Sequence, residues 1–111
     1  MSQNSFMDKK NIKKFYKILS HCKKAVQAIH PFSEVYVFGS TVRGQRNSES
    51  DIDIAIVSSS LGKDYLGERE RLEEHVGQID DRFELHLFSD DDFSNPYDGL
   101  VTSIKREGIL I

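Results

Sequence analysis

One stretch constrains this chain more than any other. Residues 35–57 read Val-Tyr-Val-Phe-Gly-Ser-Thr-Val-Arg-Gly-Gln-Arg-Asn-Ser-Glu-Ser-Asp-Ile-Asp-Ile-Ala-Ile-Val. Val35–Phe38 is a β-branched and aromatic run that stops at Gly39, and Ile52, Ile54, Ile56 and Val57 mark a second strand beyond a polar loop. Asp51 and Asp53 open that second strand two residues apart. Side chains at i and i+2 of a strand share a face, about 7 Å apart along the backbone. Two unpaired carboxylates there repel each other, which raises a pKa and lowers stability. A divalent cation relieves the repulsion. Mg²⁺ in particular takes one or two protein carboxylates and completes its shell with water and phosphate oxygens.

The loop ahead of the carboxylates suits an anion. Gly39 lets backbone approach a ligand without a Cβ in the way. Ser40 supplies a hydroxyl and an N–H, and Arg43 is within reach of phosphate oxygens. A short helix over residues 40–45 would add free N–H groups and a positive dipole end. The glycine spacing Gly39-x-x-x-x-Gly44 is that of a P-loop, but a P-loop continues with Lys and Ser/Thr. Here Gln45 and Arg46 follow, so that reading fails.

Gly39-Ser40, ten residues, then Asp51-x-Asp53 resembles the signature of the polymerase-β nucleotidyltransferase superfamily. Arg43-Gly44 and Ser50-Asp51-Ile52-Asp53-Ile54 fit its flanks. Within the superfamily the chain looks like a minimal nucleotidyltransferase, the short single-domain kind found as an antitoxin. The resemblance covers roughly residues 33–110. It implies an α+β fold, a small mixed sheet flanked by helices. It also implies a third carboxylate on the next strand, and Glu84 in Phe83-Glu84-Leu85 matches that position. Asp51, Asp53 and Glu84 are then the catalytic and metal-holding residues, with two Mg²⁺ ions. Gly39, Ser40, Arg43 and Ser50 bind the nucleotide, with ATP the first donor among the nucleoside triphosphates. The activity implied is transfer of a nucleoside monophosphate to a hydroxyl. The partner implied is a small helical protein of the HEPN type, either modified or merely bound, and a homodimer is the other way to complete the site. A regulator that binds nucleotide without catalysis, and a nucleic-acid acceptor, stay open.

Size and charge agree with a small enzyme. The chain has 111 residues, room for one core, expected as a single domain over 1–111 with a catalytic core over 33–111. Its net charge is −3, against the basic balance of a general nucleic-acid binder. The one cysteine, Cys22, has no internal partner. Residues 1–11 lack the apolar core of a signal peptide, and no apolar run approaches the ~20 residues of a membrane span. These features point to the cytoplasm.

Along the chain, residues 1–7 read as a disordered polar terminus and Asp8 to Ile29 as a helix. Ile12, Phe15, Leu19, Cys22, Val26 and Ile29 form its apolar stripe, and Pro31 closes it. Its lysines, Lys9 to Lys24, read as a solvated face. A second helix is expected from Asp64 to Gln78 and a third strand from Arg82 to Phe88. There Glu84 and His86 share a face, with His86 as a hydrogen-bonding support. Ser89 followed by Asp90-Asp91-Asp92 reads as a capping box rather than a metal site. Asn95-Pro96 reads as the start of a last helix that turns Tyr97, Leu100, Val101 and Ile104 inward and ends at Gly108. Ile109–Ile111 is expected as an edge strand or a partner contact.

Overall fold

A computed structural model describes residues 2–44, 51–61 and 65–111, with side chains from Phe15 onward except Tyr65. The elements are α1 (Ser2–Ile29), β1 (Glu34–Phe38), α2 (Ser40–Arg43), β2 (Ile52–Val57), α3 (Tyr65–Gly77), β3 (Phe83–Phe88), α4 (Asp90–Phe93), α5 (Gly99–Glu107) and β4 (Ile109–Leu110). The sheet has the order β3-β2-β1-β4. β1 runs antiparallel to both β2 and β4, and β2 runs parallel to β3, so the α+β fold with a small mixed sheet is observed. Among the described residues no helix is long and apolar enough to cross a membrane.

The period-2 alternation of the strands gives the sheet two unlike faces. Val35, Val37, Ile52, Ile54, Ile56, Leu85 and Leu87 form one face, packed by Leu19, Cys22 and Val26 of α1 and Leu72 and Val76 of α3. Removing each such side chain from water contributes about 1.5–3 kcal/mol. The other face buries Phe38, Ala55, Val57 and Phe88 against Phe93 of α4 and Val101 and Ile104 of α5. That cover reaches only part of the face. Asp53, Glu84 and His86 point from the uncovered part.

Several boundaries differ from expectation. Residues 2–7, read as disordered, continue α1 from Ser2; nothing in them interrupts a helix, since the first glycine is Gly39 and the first proline Pro31. β2 and β3 begin at Ile52 and Phe83, each one residue later than expected. Asp80 holds Arg82 instead, accepting from its backbone N–H and its guanidinium at 2.7–2.9 Å. The last helix starts at Asp98, not Asn95. The Asp98 carboxylate accepts from the N–H groups of Leu100 and Val101, while Asn95 closes a turn by accepting from the N–H of Tyr97. With the start moved on, Val101 and Ile104 face inward, but Tyr97 is 94% exposed and Leu100 41% exposed. The Ser89 capping box is observed, its hydroxyl accepting from Asp92 N–H at 3.1 Å, and Gly108 caps the end of α5. Ile109–Leu110 forms the edge strand on β1.

Candidate active site

The site lies where β1 ends and where β2 and β3 begin. Asp53 sits beside Phe38 of β1 and beside Glu84 of β3. The antiparallel β1–β2 pair brings the residue after Phe38, Gly39, back against the Asp53 side chain. Gly39 has φ +77°, and a Cβ there would stand 2.6 Å from Asp53 Oδ2. Glycine is therefore required twice over, for its backbone conformation and for the room it leaves the carboxylate. The Gly39 carbonyl accepts from Val42 and Arg43 N–H, which starts α2, and Gly44 closes it in the left-handed region.

The expected short helix over 40–45 is thus Ser40–Arg43, with Ser40 at its first position. Arg43 reaches across to the last residue of α5, its Nη1 2.7 Å from Glu107 Oε1, and both side chains are partly exposed. Ser50 lies outside the described residues. Asp51 is exposed and precedes β2.

Glu84 titrates above the ordinary carboxylate range. Desolvation is the larger cause and the negative charge of Asp53 the next, with Asp51 adding in the same direction and His86 opposing. His86 Nε2 lies 3.2 Å from Asp53 Oδ1, and its ring stands edge-on to Phe38 with centroids 5.2 Å apart. One ligand atom from each of Asp53, Glu84 and His86 falls within 4.8 Å of the other two. Sequence spacing paired Asp51 with Asp53. In the structure the compact group is Asp53, Glu84 and His86, because strand register brings β3 alongside and Asp51 stands before the strand. A divalent ion suits that donor set of oxygens and one nitrogen.

Past Glu84 the face opens into a recess of about 240 Å³ at the free edge of β3, lined by Arg69, Glu84, His86, Phe88 and Leu100 among others. Arg69 belongs to α3. It donates from Nη2 to the Leu85 carbonyl at 2.9 Å and is held by Glu73 four residues on, at 2.8 Å. Its position four residues before Glu73 was visible in the sequence. Its reach to the sheet edge was not.

A family model described as a nucleotidyltransferase domain matches residues 19–111. The chain belongs to that family. It is also similar to a crystal structure of a candidate nucleotidyltransferase from Sulfolobus solfataricus, with a TM-score of 0.57 and 19% identity, over 94% of this chain and 85% of that one. That likeness speaks for the fold alone. A search of curated proteins gave no match.

Proposed function

We propose that this nucleotidyltransferase moves a nucleoside monophosphate, AMP from ATP in the first instance, onto a hydroxyl acceptor with the help of divalent metal. The observation that carries the proposal is the register that sets Asp53 beside Glu84, with Gly39 packed on the Asp53 carboxylate. Asp51, Asp53 and Glu84 would hold the metal, taken as two Mg²⁺ ions. When bound, these ions offset charge on the attacking and leaving oxygens.

The chain's own residues do the rest. Ser40 and the loop N–H groups hold the β- and γ-phosphates, and Ser50 is taken as a further nucleotide-binding residue. Arg43 exchanges Glu107 for phosphate oxygens, where its planar fork pairs well. The acceptor oxygen bonds to the α-phosphorus, the bond from that phosphorus to the bridging oxygen breaks, and pyrophosphate leaves. Glu84 takes the acceptor's proton; a carboxyl with raised proton affinity is the better base near neutral pH. Attacking and leaving oxygens stand roughly in line in such transfers. The Gly39–Ser40 turn is on the β1 side of Asp53, so the acceptor enters from the β3 side, over the recess. Positioning of this kind supplies much of the acceleration.

The proposal takes residues 33–111 as the catalytic core of one cytoplasmic domain, with α1 packed on it through Leu19, Cys22 and Val26. A partner chain enters it as acceptor or as the completion of the site. Leu100, which lines the recess, and Tyr97, exposed just ahead of α5, are apolar surface that such a chain would cover. The resemblance names a HEPN-type helical protein, with this chain acting as its antitoxin; neutralisation by binding alone is the competing reading.

Label transfer tests the proposal. The protein and its Asp53→Ala variant are incubated with Mg²⁺, host lysate and each nucleoside triphosphate labelled at the α-phosphate. Label on one protein or RNA with wild type only is the expected result, and it identifies the acceptor class. Metal-dependent nucleotide binding without transfer would move the function to a regulator. No binding at all would overturn the site.

A further inference from the structure

The carboxylates of the site have a nitrogen beside them. His86 stands two residues beyond Glu84 on β3 and so shares its face, opposite Ala55 in the register. The small Ala55 side chain leaves the imidazole room to lean toward Asp53. Phe38 holds the ring from the side, edge to face. The nitrogen turned to the carboxylates is Nε2, 3.2 Å from Asp53 Oδ1. Ligand atoms of Asp53, Glu84 and His86 lie within 4.8 Å of one another. An ion with bonds of about 2.0–2.2 Å to nitrogen and oxygen holds neighbouring ligand atoms roughly 3.0–3.5 Å apart, and His86 Nε2 and Asp53 Oδ1 already stand 3.2 Å apart. The group closes on an ion by small side-chain movements, without moving the strands.

We infer that His86 Nε2 is itself a metal ligand, which makes the ion position between β2 and β3 selective for a first-row transition ion such as Mn²⁺ over Mg²⁺. The inference rests on the metal-dependent reading proposed above and goes beyond it in the chemistry of one position. Mg²⁺ favours oxygen ligands and retains water, whereas imidazole suits transition ions. Asp51 is outside the compact group, so it and Asp53 form the edge of a second position made of oxygen alone. The two ions of the site are then unlike: one takes nitrogen and two carboxylates, the other carboxylates, water and phosphate.

A hydrogen-bonding support for Asp53 would show the same 3.2 Å contact, and its loss would also lower metal affinity by about 10–100-fold. Affinity alone therefore does not decide the role. Pulsed electron paramagnetic resonance of the protein with bound Mn²⁺ does. The expected spectrum shows ¹⁴N coupling from a directly bound imidazole. The coupling vanishes in His86→Gln, and Mn²⁺ binding itself weakens in Asp53→Ala. Calorimetry with Mn²⁺ and with Mg²⁺ gives the second readout: the ratio of the two affinities falls at least ~10-fold in His86→Gln, and His86→Asp restores binding with the preference shifted to Mg²⁺. Circular dichroism checks that each variant is folded, and the wild-type spectrum decides the matter even where one is not. Mn²⁺ bound through Asp53 without ¹⁴N coupling would overturn this inference and leave the metal site standing. Mn²⁺ binding that is absent, or indifferent to Asp53→Ala, would overturn both.

Discussion

Two residues show how far single side chains carry the fold into the chemistry. Gly39 has a positive φ that other residues adopt only under strain, and its missing Cβ is the space Asp53 occupies. Gly39→Ala is expected to destabilise the protein by about 1–3 kcal/mol through backbone strain and to displace the Asp53 carboxylate. Urea denaturation reads the first effect, and metal-dependent nucleotide binding, strongly weakened, reads the second. A variant with unchanged stability and binding would remove Gly39 from the account. Cys22 is the opposite kind of residue, a fully buried thiol whose pKa burial pushes up from 9.0 to about 12. In the unfolded chain the thiol ionises near 9.0, so the folded state is favoured below about pH 9 and loses that advantage as pH climbs toward about 12. Stability measured across pH 8–11 should fall more steeply in wild type than in Cys22→Ala at the alkaline end. Native protein should resist iodoacetamide, because the thiolate is the reacting form.

At the scale of elements, capping decides where the last helix begins. Asp98 satisfies two N–H groups of the first turn of α5, whereas Asn95 satisfies one N–H of a preceding turn. Asp98→Ala is expected to lower stability by about 1 kcal/mol, and Asn95→Ala by clearly less, in denaturant titrations of otherwise identical proteins. Equal losses would restore the start at Asn95-Pro96. The comparison also shows what sequence reasoning could and could not reach. Asn followed by Pro is a good local signal for a helix start, yet Asx-Pro also begins turns. The choice fell to Val101 and Ile104, which fit the sheet face left open by Phe38, Ala55 and Val57. The three strands and the Gly39-to-Asp53 turn were legible because alternation and a glycine stop are local properties. The pairing of β3 with β2 was reached only by resemblance, and it is the pairing that creates the site. Arg69 and Leu100 at its edge depend on how α3 and α5 pack, and the closeness of His86 to both carboxylates depends on that same strand pairing. No local pattern encodes that.

Taken whole, the molecule packs a core on both faces of the sheet and leaves its chemistry to the part of one face that stays open. Leu19, Cys22, Val26, Leu72 and Val76 pack on the first face, while α4 and α5 leave part of the second open around Asp53 and Glu84. Two carboxylates on adjacent strands repel, and the raised proton affinity of Glu84 registers that repulsion alongside its desolvation. In the absence of metal the pair therefore works against the fold. Like charges paired across neighbouring strands are destabilising by up to about 1 kcal/mol. Asp53→Asn removes one charge, keeps the shape, and keeps an oxygen able to accept from His86. In chelator-treated protein the variant should be at least as stable as wild type. Adding Mn²⁺ or Mg²⁺ should then stabilise wild type in proportion to occupancy, as any ligand of the native state does, and leave the variant nearly unmoved. The order of stability of the two proteins inverts between chelator and saturating metal. Parallel denaturation curves under the two conditions measure it. A variant less stable than wild type in chelator would mean that the pair is held by hydrogen bonds rather than strained by charge. A wild type unmoved by metal would mean that Asp53 and Glu84 do not hold an ion.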